Sequence, residues 1–160
     1  ARFFFAEDLK TPLASRLEKL QSLTFHRELG SYHDKTLRMM ELAEGIARGL
    51  GLDASQAREA ARSAKCDLRT LMVGEFPELQ GVMGGEYLRR EGAVEAVWRA
   101  VKEHYQPVSA EAPIPATELG CVLALADKLD TLAGCCAIGM SCVSARARGG
   151  FTPKRMKTAR

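Results

Sequence analysis

Between Leu119 and Cys135 the sequence reads LGCVLALADKLDTLAGC, the most apolar run in the chain, and Asp127 sits in its middle. Thr117 is placed to cap a helix over this run, and a helix apolar on nearly every side is expected to lie at the centre of a fold. An unpaired carboxylate there costs several kcal/mol, so any structure built around this helix must bring a partner to Asp127. That requirement constrains the rest of the chain more than any other feature.

The remaining segments read as helices. Thr11-Pro12 can open one, with Leu13, Leu17 and Leu20 marking its face. Ser31 can cap a second, in which Leu37, Met40, Ala43, Ala47 and Leu50 recur at three and four up to Gly51. Asp53, with Gln56 three residues on, begins a third that is predicted to run to about Val73, with Ala57, Ala60, Ala64, Leu68 and Leu71 as its packing face and Gly74 as its end. Pro77 starts a short turn, and Gly81, Gly84 and Gly85 predict irregular backbone. A further helix over Ala93 to Tyr105 carries Val94, Val97, Trp98 and Val101, and Pro107, Pro113 and Pro115 make residues 106–116 an extended connection. Phe3 to Phe5 reads as an apolar stub, a strand end with partners elsewhere. No alternating pattern or repeat predicts a sheet, so the fold class is an all-α helical bundle.

Composition fits a single domain with an aliphatic core, since 46% of the 160 residues are hydrophobic and only 6% aromatic. No run is long enough to span a membrane and no signal segment opens the chain, which suggests a cytoplasmic protein and a piece of something longer. Five cysteines without a CxxC pair indicate neither a disulfide framework nor a zinc ribbon. Six of the 23 basic residues and none of the 20 acids lie in 141–160, leaving the first 140 residues with 17 against 20, a net −3. The division is therefore a helical domain over 1–140 and a basic tail over 141–160.

Asp67 aligns with Ala60, Ala64 and Leu71 on the packing side of the third helix, giving a second inward acid. Two inward carboxylates about 60 residues apart resemble the layout of metallophosphohydrolases of the His-Asp (HD) type. The ligands do not follow that pattern: Lys35 stands where the first His belongs and Cys66 where the doublet His belongs. The literal His33-Asp34 pair opens its helix and has only His26 nearby, so His33 reads as an exposed first-turn residue and His104 as a partner of a helix C-terminus. No metal ligand set and no catalytic residue is assigned; the expected role of Lys35 or Lys65 is a structural ion pair with Asp67 or Asp127. Arg58, Arg62, Lys65 and Arg69, spaced four, three and four, form a basic stripe opposite the Ala-rich face, a candidate contact for nucleic-acid phosphates.

KCDLRTLMVGEFPELQGVMGGEY, from Lys65 to Tyr87, closely resembles the β subunit of bacterial heterotetrameric glycyl-tRNA synthetase. ARFFFAEDLKTPLASRLEKLQSLTF, Leu29-Gly30, DKTLRM, GLGLD, EHYQP and ALADKLDTLAGCCAIG extend the resemblance from Ala1 to about Met140. It implies a degenerate HD-type domain within a subunit that supplies tRNA binding, while an α subunit activates glycine with ATP and Mg. Glycine tRNA, the α subunit and the rest of the β subunit are the implied partners, and no cofactor is implied for this domain. Lys35, Cys66, Asp67, Glu75, Gln80 and Asp127 fall on family-motif or degenerate HD positions, as candidates for fold and RNA surface. After AIGM, the run SCVSARARGGFTPKRMKTAR leaves the family pattern and reads as disordered or as a reading-frame scar. An active HD-type phosphohydrolase and a purely structural spacer are the alternatives.

Overall fold

The computed structural model describes residues 2–141 together with the backbone of Lys154 and Arg155. Its helices are α1 (Arg2–Asp8), α2 (Tyr32–Gly49), α3 (Ala54–Ser63), α4 (Leu71–Glu75), α5 (Val82–Arg90), α6 (Glu95–Glu103) and α7 (Glu118–Ala137). Short 3₁₀ turns cover Leu13–Arg16, Glu18–Ser22, Cys66–Arg69 and Pro77–Leu79. The all-α expectation holds. Two small pairs of strands accompany the helices: β1 (Thr24–His26) against β2 (Gly30–Ser31), and β3 (Met140–Ser141) against β4 (Lys154–Arg155). In the first, Thr24 lies opposite Ser31 and His26 opposite Gly30, so the hairpin serves as the entry to α2.

The caps at Ser31, Asp53 and Thr117 are present, whereas Thr11-Pro12 opens 3₁₀ turns and no helix, without a side-chain cap. Ser31 Oγ accepts from the Asp34 amide at 3.2 Å while Asp34 Oδ2 accepts from the Ser31 amide at 2.7 Å, a reciprocal capping box. Asp53 accepts from the Gln56 amide and Thr117 from the Gly120 amide as one-way caps. α2 packs on α3 and α7, and α6 closes the group by packing on α3, α7 and α5. Their buried faces are Met39, Ala43 and Ala47; Ala57, Ala60 and Ala61; Val97, Ala100 and Val101; and Val122, Leu123 and Ala126. Alanine at so many contact points lets the axes approach closely, which turns short helices into a dense core.

Four local expectations are corrected. Phe3 to Phe5 belong to α1 rather than to a strand, and the Phe5 ring stacks on Tyr87 with centroids 5.4 Å apart. The third helix does not run to Val73: it stops at Ser63, tightens through the 3₁₀ turn and restarts at Leu71, whose side chain is exposed. Helical periodicity cannot register such a break, because the 3₁₀ turn keeps apolar residues at spacings of three and four. Gly84 and Gly85 lie inside α5 instead of a loop. A Cβ on Gly85 would stand 2.8 Å from the Trp98 carbonyl and 2.6 Å from Lys102 Cβ, so glycine there permits α5 and α6 to touch. Lastly, α7 is not buried all round, since Leu125, Leu129 and Leu132 remain 43–49% exposed.

Candidate functional site

Asp127 finds its partners. Lys35, in the first turn of α2, places Nζ 2.9 Å from Asp127 Oδ1, and Lys65, just after α3, places Nζ 2.8 Å from Asp127 Oδ2. Both lysine side chains are only 2% exposed. Lys35 Nζ also reaches Asp130 Oδ2 at 3.0 Å and Thr131 Oγ1 at 2.8 Å, and the Phe25 ring lies 4.6 Å away. Arg38, one turn along α2, holds Asp130 through Nε at 2.5 Å and a second nitrogen at 3.3 Å. Two carboxylates one turn apart on α7 are thus met by three cations from two other segments.

His104 completes the cluster. It sits at the C-terminus of α6 as expected, with Nδ1 2.6 Å from the Val101 carbonyl in the last turn, but it is fully buried and its Nε2 lies 2.9 Å from Lys65 Nζ. A carbonyl can only accept, so Nδ1 carries the proton and the Nε2 lone pair receives the Lys65 ammonium. Burial first, and then the Lys65 charge, push the His104 pKa down to about 3, which keeps the ring neutral. The Tyr105 ring covers Lys65 at 3.9 Å from its centroid. Burial pushes the Asp127 carboxyl up, but the Lys65 and Lys35 charges outweigh it and hold Asp127 well below the usual range.

Asp67 takes a different role. Its carboxylate does not pair with either lysine at ion-pair distance; Oδ2 accepts from the Gly81 amide at 2.6 Å and the Gly84 amide at 3.2 Å, binding the 3₁₀ turn to the start of α5. Gly81 has φ +80, a conformation that frees its amide to point at the acid. Asp67 Oδ1 is buried without a partner, and burial raises the pKa to about 6. The neighbouring Cys66 thiol is pushed up to about 12 by burial and by the Asp67 charge, which makes it a packing residue rather than a nucleophile.

Most of the donor atoms that the phosphohydrolase alternative would use are engaged within the protein. Both Asp127 oxygens face ammonium groups, Asp67 Oδ2 is committed to backbone amides, and the remaining histidine lone pair faces Lys65. No group of three His, Cys, Asp or Glu side chains is suitably placed for a metal among the described residues. The arrangement joins α2, the α3 terminus, the α6 terminus and α7.

The basic stripe is divided by the break after Ser63. Lys65 turns inward, and Arg58 is bound by Glu41 at 2.8 Å and Glu44 at 2.6 Å. Arg62 and Arg69 remain exposed. Arg62 shares a surface hollow of about 230 Å³ with Glu59, Glu91 and Ala14. Glu75 and Gln80 are exposed on the segment between α4 and α5. Sequence reasoning missed Asp8, which is buried and accepts from the Leu71 and Met72 amides and the Tyr87 hydroxyl, each at 2.9 Å. Its signal in the sequence is its spacing of four and three from Phe4 and Phe5, which puts it on their face of a helix. His33 is partly buried and lies 3.8 Å from Glu18.

The profile of the glycyl-tRNA synthetase β-subunit family matches residues 1–146. The chain belongs to that family. Among curated relatives, the glycine–tRNA ligase β subunit of Neisseria gonorrhoeae is 46% identical over 140 residues, that of Ralstonia nicotianae 47% over 141 and that of Trichlorobacter lovleyi 48% over 143. Each match covers 88% of this chain and 20% of the relative, so this β-subunit chain spans about a fifth of the length of the proteins it matches. The tail expected to be disordered or a frame scar lies, apart from Ser141 and the Lys154–Arg155 backbone, outside the described residues. No helix among the described residues is long and apolar enough to cross a membrane.

Proposed function

We propose that this chain is a non-catalytic tRNA-binding and assembly module of a glycine–tRNA ligase, working in the cytoplasm beside an α subunit that uses ATP and Mg. Family membership supports the ligase context. The observation that carries the non-catalytic reading is the mutual saturation of the buried cluster: Lys35, Lys65, His104, Asp127 and Asp130 spend their polar atoms on one another. The cluster fixes the bundle, and the exposed Arg62 and Arg69 supply the contacts to tRNA backbone.

A salt titration of the 160-residue chain against glycine tRNA and a non-cognate tRNA tests this. Each phosphate contact contributes a slope of roughly 0.9 in log Kd against log salt. Arg62→Ala and Arg69→Ala are each expected to weaken binding and lower the slope by about 1. Binding and slope unchanged in both variants would leave a structural spacer as the correct description.

A further inference from the structure

The exposed side of α7 carries an ordered apolar seam that nothing in the described bundle uses. Leu125, Leu129, Leu132 and Cys136 follow at spacings of four, three and four, all four exposed. That spacing is the pattern by which one helix accepts the side chains of another. At its upstream end the seam opens into a surface cavity of about 280 Å³ lined by Leu50, Leu52, Cys121, Val122 and Leu125 with Glu118, and Leu50 is 63% exposed at the rim. A ridge of leucines beside a hole of side-chain size is what a packed helix requires.

We infer that this seam is the docking face for an amphipathic helix supplied by the remainder of the β subunit. The inference rests on the assembly reading above and gives it a surface. Three observations select this occupant. The relatives carry about four-fifths of their length outside the matched region. The seam consists of three half-exposed leucines and one cysteine, too small a patch for the ~800 Å² per partner of a stable association between separate molecules, so it suits a partner held in the same subunit. Residues 142–160 offer only Val143, Phe151 and Met156 as large apolar side chains and cannot supply a matching seam.

The test compares the 160-residue chain with a Ralstonia nicotianae β subunit whose matched fifth is exchanged for residues 1–140. The readouts are alkylation of Cys136 by N-ethylmaleimide, followed by peptide mass spectrometry, and hydrogen exchange over residues 125–137. Alkylation at least tenfold slower in the exchanged subunit, with slower exchange, is the expected result. Leu129→Glu is expected to leave the urea midpoint of the 160-residue chain unchanged while restoring Cys136 reactivity in the exchanged subunit. Equal reactivity in a subunit that still charges tRNA with its α subunit overturns the docking face alone. Equal reactivity in one that fails to charge tRNA overturns the assembly reading with it. A concentration-dependent dimer of the 160-residue chain, abolished by Leu129→Glu in light scattering, assigns the seam to a second copy and overturns the inference.

Discussion

Replacing Asp127 by leucine removes the only carboxylate among the described residues that Lys65 touches at ion-pair distance. At separations of 2.8 and 2.9 Å and an effective dielectric constant of about 20, each ammonium attracts Asp127 by roughly 6 kcal/mol. Desolvation of the buried charges opposes this by several kcal/mol per ion, so the intact cluster stands near break-even. Its removal is not symmetrical. Lys35 keeps Asp130 and Thr131, whereas Lys65 keeps only the neutral His104 and the Tyr105 ring. Asp127→Leu is therefore expected to cost about 3–5 kcal/mol, a large share of a typical domain's stability. Adding Lys65→Met removes the stranded charge, and the double variant should recover at least ~2 kcal/mol relative to Asp127→Leu. Urea unfolding of the four proteins at pH 7, followed by far-UV circular dichroism, measures the cycle. A cost under ~1 kcal/mol for Asp127→Leu, or additive single changes, would refute the reasoning.

Two buried groups should pull stability in opposite directions on acidification. His104, folded near 3 against 6.5, loses stability as pH falls below 6.5, by roughly 4–5 kcal/mol at pH 3; Asp67, folded near 6 against 3.8, recovers about 2 kcal/mol as pH falls from 6 to 4. Urea midpoints from pH 4 to 7.5 should consequently fall more steeply with acid in Asp67→Asn than in the parent, and less steeply in His104→Gln; parallel profiles would contradict both assignments. Gly85→Ala should cost about 1–3 kcal/mol by driving α5 off the Trp98 carbonyl, read as a lower urea midpoint, and a neutral effect would show that the α5–α6 contact yields freely. Thr117→Ala should cost about 1 kcal/mol through the lost cap on α7, measured in the same way.

The sequence alone determined the helical class, the caps at Ser31, Asp53 and Thr117, the burial of Asp67 and Asp127 and the family, because each depends on local periodicity, on side chains within one turn of the backbone they bind, or on short runs of identity. It also required that Asp127 be partnered, a consequence of placing charge in an apolar helix. Tertiary structure decided the rest. Lys35 and Lys65 lie 92 and 62 residues from Asp127 along the chain, so which lysine paired with which acid was open until the helices packed. The same packing drew Lys65 out of the basic stripe and His104 into the cluster, since a charged side chain can lie on a helix surface or reach its interior from one sequence pattern. It also left Leu125, Leu129 and Leu132 in solvent, because a run apolar on every side does not encode how many neighbours it will have.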